Sequence, residues 1–124
     1  MMTNSEFRFF NYEEFDCEGV PGSGYRYMDR EFLSMLDEAR RLSGLKFKIL
    51  SGYRNKITNE KLGGVSTNSH RIGRACHIFC QDKTKRYKIV SCLLEAGFVR
   101  IGLSSKYIHC DNDDQKPPCI WLIN

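Results

Sequence analysis

Three histidines have the residue type and the spacing needed for metal chemistry in this chain. His70 lies in a polar segment, His77 follows seven residues later in an apolar run, and His109 lies in a second apolar run. Three imidazoles with one open position are the ligand layout of a catalytic zinc site. On spacing alone, unrelated core or surface histidines are the commoner arrangement, so both interpretations stay open at this point.

Strand periodicity places two of these histidines on one face of a sheet. Residues 75–81 and 107–111 are predicted strands, and successive side chains of a strand point to opposite faces. His77 therefore shares a face with Ala75 and Phe79, and His109 shares one with Tyr107 and Asp111. We expect His77 and His109 to lie on one functional face. The other face is apolar and rich in cysteine, with Cys76, Ile78, Cys80, Ile108 and Cys110.

The remaining periodicities predict an α+β fold in which a small antiparallel sheet packs against two main helices. The first helix is capped by Asp29 and ends at Gly44, and its apolar stripe is Phe32, Leu33, Met35, Leu36, Ala39 and Leu42. The second follows Asp82 and ends at Gly97, with Ile89, Val90, Leu93 and Leu94 expected to face inward. Strands are predicted at 46–50, 75–81, 98–102, 107–111 and 120–123. A long polar, glycine-containing segment after residue 50 has a short helix near 55–62, and a segment of this kind is usually functional.

Length and composition exclude several classes of protein. A chain of 124 residues supports one modest core, so we predict a single domain over residues 1–124. The longest apolar stretches are far shorter than the roughly 20 residues of a transmembrane helix, and the first ten residues show no export signal. The net charge of +4 is spread along the chain, and its densest cluster fits a solvated helix face better than a nucleic-acid site.

Six cysteines are present in this short chain. Without an export signal, free thiols acting as small buried hydrophobic side chains are favoured over a disulfide framework. The sequence has no Cys-x-x-Cys pair, so a cysteine-based zinc ribbon is not expected.

Several motifs in order resemble the M15 family of zinc peptidases. These motifs are Ser51-Gly52-Tyr53-Arg54, Asn59, Gly63-Gly64, Ser69-His70-x-x-Gly73-x-Ala75, Gly97-Phe98-x-Arg100-Ile101-Gly102 and Tyr107-Ile108-His109-Cys110-Asp111. The family includes D-alanyl-D-alanine carboxypeptidases and phage endolysins, and it shares a core fold with the hedgehog signalling domain. Among its members, the chain most resembles short M15-like proteins of small single-stranded DNA phages.

The resemblance implies a zinc site formed by His70, His77 and His109. The first and last match the family's histidine ligands, whereas His77 occupies the position of the family's aspartate ligand. Either His77 replaces the carboxylate as a third ligand, or its longer side chain leaves a weak or inactive site. The family's serine two residues before the first ligand is Asn68 here, with Ser69 adjacent to it.

The resemblance also implies a mechanism in which zinc-activated water attacks a peptide carbonyl. Asp111 is the candidate general base, or else a partner that orients an imidazole. Many relatives place an acidic residue three positions before the last histidine, and that position is Lys106 here. Arg54 matches the arginine that holds a substrate carboxylate and stabilises the oxyanion, with a surface salt bridge as the alternative.

Three further residues are candidates for substrate binding: Asn59, Ser69 and Tyr107. Asn59 is also suited to holding the long loop in place, and Tyr107 to packing in the core.

The function implied by the resemblance is zinc-dependent cleavage of peptidoglycan peptides, of carboxypeptidase or endolysin type. The alternative is a catalytically impaired module of the same fold that binds zinc, peptidoglycan or a host protein. We expect a monomer, encoded by a phage and made in the host cytoplasm, that acts at the cell wall without a nucleic-acid partner.

Overall fold

A computed structural model describes residues 6–123. Residues 1–5 and 124 lie outside the described residues. They include the first half of the ten-residue segment that shows no export signal and the two ends of the predicted domain. The elements are, in chain order, α1 (Ser23–Tyr27), α2 (Arg30–Ser43), β1 (Ile49–Ser51), α3 (Lys56–Lys61), β2 (Ala75–Phe79), α4 (Lys83–Glu95), β3 (Arg100–Leu103), β4 (Tyr107–Asp111) and β5 (Cys119–Leu122). Two 3₁₀ turns, Tyr12–Phe15 and Ser69–Ile72, complete the set.

Helix α2 begins and ends where its capping residues predict. The Asp29 carboxylate accepts a hydrogen bond from the Phe32 backbone N–H at 2.8 Å, which satisfies one of the free N–H groups of the first turn. Gly44 ends the helix in the left-handed conformation, with a φ of 68°. The predicted apolar stripe is buried along this helix, with Phe32, Leu33, Leu36 and Ala39 at its centre.

Helix α4 also follows its predicted cap, because the Asp82 carboxylate accepts from the Lys85 N–H at 2.8 Å. Its inward face differs from the expected one at two positions. Leu94 is exposed, whereas Cys92 is buried beside Ile89 and Leu93. Cys92 lies three residues after Ile89 and therefore stays on the same side of the helix.

The sheet has five strands in the order β1-β2-β4-β3-β5. Neighbouring strands are antiparallel except for β5, which runs parallel to β3. The α+β class is thus confirmed, with one parallel pair in an otherwise antiparallel sheet. Strand β1 is shorter than predicted and shifted toward Ser51, and an irregularity interrupts its pairing with β2.

The core lies between the helices and the predicted cysteine-rich face of the sheet. Cys76, Ile78, Ile108 and Cys110 pack there in one cluster with side chains of α2 and α4. All six cysteines are free thiols, and five of them are buried. Cys119, on strand β5, is exposed. Within residues 6–123, no helix combines the length and apolar character needed to cross a bilayer.

Candidate metal centre

One row of paired residues crosses the exposed face of the sheet. Ser51 of β1 pairs with His77 of β2, and His77 pairs with His109 of β4. His109 pairs in turn with Gly102 of β3, which pairs with Trp121 of β5. Directly paired residues have side chains on the same face, about 5 Å apart. The sheet register alone therefore places two of the three histidines side by side.

The third histidine reaches this row from the long loop. His70 lies in the 3₁₀ turn Ser69–Ile72, and the Asn68 side chain caps the turn by accepting from the His70 backbone N–H at 2.8 Å. The His70 carbonyl accepts from the Arg54 backbone N–H at 3.1 Å. The His70 ring Nδ1 donates to the Gly52 carbonyl at 2.8 Å. These bonds fix the ring and leave Nε2 free to act as a ligand.

The three imidazoles converge on one point. One ligand nitrogen from each of His70, His77 and His109 lies within 4.8 Å of the other two, and the Nε2 atoms of His70 and His77 are 3.1 Å apart. In a tetrahedral zinc site with Zn–N bonds of 2.0–2.1 Å, two ligand nitrogens are separated by about 3.3 Å. The separation of the His70 and His77 nitrogens and the donor chemistry of all three imidazoles are therefore compatible with a three-histidine zinc site.

Asp111 decides which nitrogen of His109 is left for a ligand role. The His109 Nε2 lies 2.7 Å from Oδ2 of Asp111, so the Nε2 proton is donated to this carboxylate and Nδ1 remains free. The other oxygen, Oδ1, accepts from Arg100 Nε at 2.7 Å and from the Asp113 backbone N–H at 3.2 Å. Asp111 is completely buried. A carboxylate in this position orients a ligating imidazole and raises its basicity.

Two of the histidines are held in the neutral form that binds metals. Burial, together with the Arg54 charge, lowers the pKa of His70 to about 3. Burial, with His70 as a further cause, lowers the pKa of His77 to about 2. Both rings are therefore neutral at pH 7, with a lone pair for coordination. Burial of Asp111 favours its neutral form, but His109, the Asp113 backbone N–H and the Arg100 charge together outweigh this effect and lower its pKa.

Arg54 and Tyr107 lie at the same site. Both line a cavity of about 350 Å³ together with the three histidines. The Arg54 Nε donates to Ser51 Oγ at 3.0 Å, and burial lowers the pKa of the guanidinium, which still carries its charge at neutral pH. The Tyr107 ring stacks on His77 with centroids 4.0 Å apart.

The lining of this cavity contains the cation Arg54 beside polar and apolar residues. No aspartate or glutamate is among the residues of the described chain that line it. Asp111 lies beneath His109 with both oxygens bonded, and Lys106, in the turn before β4, is exposed. The role of Asp111 as a general base thus stays a prediction, whereas the structure shows its hydrogen bond to His109.

Two of the expected substrate-binding residues lie outside this lining. Asn59 is buried, and its Nδ2 donates to the Val65 carbonyl at 2.9 Å, which ties the long loop to α3. Ser69 is also buried, and its hydroxyl donates to Asp113 Oδ2 at 2.8 Å. Both side chains support the loop that carries His70.

Sequence reasoning missed two residues of the site. Trp121 lines the cavity, with its ring 5.3 Å from that of His109. Arg100 links Asp111 to Trp121, since its guanidinium carbon lies 5.0 Å from the indole ring. The available signals were the single tryptophan of the chain and an arginine placed by alternation on the same face as Gly102.

The chain is similar to a known protein family. No curated protein matches the chain. A family model described as Peptidase M15 matches residues 9–111, a segment that contains all three histidines, Arg54 and Asp111. Because the match covers well over half of the sequence, the chain belongs to the Peptidase M15 family.

Proposed function

We propose that this protein is a zinc-dependent peptidase that cleaves peptidoglycan peptides, of carboxypeptidase or endolysin type. The observation that carries the proposal is the convergence of His70, His77 and His109 within 4.8 Å in a chain of a peptidase family that is typically zinc-dependent. When bound there, zinc would polarise the peptide carbonyl and make its water more acidic.

Arg54 is suited to hold the carboxylate of a peptide. Its Nε is engaged by Ser51, which leaves the two terminal nitrogens for a two-point contact with a carboxylate or an oxyanion. No carboxylate among the described residues that line the cavity competes for this guanidinium. An anionic peptide end therefore finds a single cationic side chain beside the three histidines.

The chain's other residues would keep the ligands in position. Tyr107 stacks on His77 and restricts the plane of its ring. The Asp111 carboxylate fixes the His109 tautomer, and the Gly52 carbonyl does the same for His70. All three rings are thus oriented before any metal binds, which lowers the entropy cost of binding.

The experiment measures metal content and activity together. We expect one zinc per chain and cleavage of purified muropeptides that a chelator abolishes. Co²⁺ added to the metal-free protein should quench the fluorescence of Trp121, because this single tryptophan lies next to His109. His70→Ala should lose both metal and cleavage. Tyr87→Ala, an exposed change on α4, should keep both. Zinc binding without chelator-sensitive cleavage would refute the enzyme proposal.

A second candidate function is a non-catalytic module that binds zinc, peptidoglycan or a host protein. It is favoured by the cavity lining, which has no carboxylate among its described residues, and by both oxygens of Asp111 being engaged. The variant His77→Asp restores the family's ligand. Cleavage by this variant alone would support the second candidate, whereas cleavage by the natural chain would exclude it.

A further inference from the structure

The cross-strand row has a different chemical character at each of its two ends. At the β1 end, Ser51 holds the guanidinium of Arg54. Trp121 lies at the β5 end, and His77 and His109 lie between the two ends. Since neighbouring strands lie about 4.8 Å apart, a ligand along this row has a cation on one side of the histidines and an aromatic surface on the other.

The indole is held close to the histidines by the absence of a side chain at Gly102. A Cβ atom at this position would lie 2.9 Å from Cε2 and 3.0 Å from Cζ2 of Trp121. The ring therefore lies across β3 and reaches within 5.3 Å of the His109 ring. Arg100 contacts the same indole and is itself fixed by Asp111 at 2.7 Å. Trp121 is thus a positioned wall of the cavity.

This wall is contributed by a segment outside the family match. The Peptidase M15 model ends at residue 111, and β5 follows it. Trp121 is partly exposed, so one part of the indole is available for contact with a ligand. Ile123, which also lines the cavity, extends the apolar surface on the same side.

We propose that Trp121 determines substrate specificity by binding the apolar side chain of the residue that supplies the scissile carbonyl. This inference rests on the proposed function, in which the carboxyl end of the peptide faces Arg54 and the amino side therefore faces Trp121. One residue of an extended peptide spans about 3.5 Å, so the 5.3 Å between the Trp121 and His109 rings places the indole within one to two residues of the histidines. The favoured substrate class is a peptide with an apolar side chain directly before the cleaved bond.

The test uses zinc-loaded protein and ketomethylene dipeptide isosteres, which cannot be hydrolysed. The two ligands carry a free carboxyl end and differ only in leucine or glycine at the first position. Because a leucine side chain is partly buried against the indole, we expect the leucine ligand to bind about tenfold more tightly. Calorimetry measures both affinities, and the Trp121 emission of the natural chain should shift with the leucine ligand.

The variants separate a specificity role from a structural one. Trp121→Ala should reduce the leucine-to-glycine ratio to within about twofold, and Trp121→Phe should keep most of it, since a ring remains. Gly102→Ala displaces the indole without removing it and should lower the ratio. Leu122→Ala changes an exposed neighbour on β5 and should leave it unchanged. Thermal unfolding of each variant checks the fold.

The inference is overturned by equal binding of the two ligands to the natural chain, by absent binding of both, or by an unchanged ratio in Trp121→Ala. These outcomes are independent of the peptidase proposal, because the isosteres are not cleaved. Cleavage of ordinary peptides by the same zinc-loaded protein tests that proposal separately. A chain that cleaves without leucine preference refutes only the specificity role, and one that binds with this preference but does not cleave refutes only the peptidase.

Discussion

Replacing Asp111 with asparagine tests how the site holds His109. Arg100 and the Asp113 N–H both donate to Oδ1 of Asp111, so the amide oxygen of asparagine takes that side. The amide NH₂ then faces Nε2 of His109. This nitrogen at present donates its proton to Asp111, and beside the NH₂ donor it would have to accept a hydrogen bond instead. His109 can accept there only when its own proton moves to Nδ1, the nitrogen otherwise left for metal.

The magnitude follows from the partners involved. Removing a carboxylate that orients a ligating histidine reduces metal affinity by about 10- to 100-fold, or about 1.4–2.8 kcal/mol. The fold also loses stability, because the buried Arg100 guanidinium, with 10% of its side chain exposed, keeps a neutral partner only. Its bond to the Pro117 carbonyl at 2.6 Å offsets part of this loss. We expect a cost of about 1–3 kcal/mol in unfolding free energy.

The assay is competition for zinc against a chelating dye of known affinity, with urea unfolding measured on the same samples. Asp114→Asn is the matched control, since this carboxylate is 70% exposed and has a single 3.4 Å ion pair with Arg74. The control should bind zinc like the natural chain. If folded Asp111→Asn also binds zinc with unchanged affinity, the proposed orientation of His109 is wrong.

Three further results are expected. In the metal-free protein, His70 and His77 have folded pKa values of about 3 and about 2, below the unfolded value of about 6.5. The unfolded state therefore binds more protons on acidification, and the unfolding free energy falls by up to about 2 kcal/mol per histidine between pH 8 and pH 5. Urea unfolding of His77→Gln should show a shallower dependence of the unfolding free energy on pH. The same dependence in the variant and the natural chain would contradict this. Gly73→Ala should lower the unfolding free energy by well over the roughly 1–2 kcal/mol that a left-handed backbone costs a residue with a side chain, because the φ of Gly73 is 71° and the new Cβ would lie 2.0 Å from a carbonyl oxygen at the end of α1. The control Gly63→Ala has a φ of 78° and open space around it, so thermal unfolding should show only the smaller backbone cost. Arg54→Lys should raise the KM for peptides about tenfold with zinc content unchanged, since lysine lacks the planar two-point contact. A change in the kcat of this variant without a change in its KM would argue against binding of the peptide carboxylate by Arg54.

Local patterns were enough to predict most of the elements. Asp29 and Asp82 accept hydrogen bonds from the first turns of α2 and α4 as predicted, because capping depends only on residues within one turn. The period-two pattern also assigned His77 and His109 to the correct face. Leu94 was wrongly placed inward, because the burial of a helix face depends on what packs against it.

The role of Asp111 was left open by the sequence. Asp111 lies two residues after His109 and therefore on the same face of β4. This placement is compatible with a general base or with a partner that orients the imidazole. The structure surrounds it with Arg100 from β3 and a backbone N–H from the following loop. These partners come from a neighbouring strand and a folded loop, so periodicity carries no information about them.

By itself the sequence determined which residue types are available and which face of each strand they occupy: three histidines, an arginine after β1 and an apolar face rich in cysteine. Only the tertiary structure decided that His70 turns back onto the sheet, which nitrogen of each ring is free, and that Trp121 joins the row through Gly102. The physical reason is distance along the chain. Face alternation is a property of consecutive residues, whereas the folding of the loop and the parallel pairing of β5 with β3 depend on contacts between residues far apart in sequence.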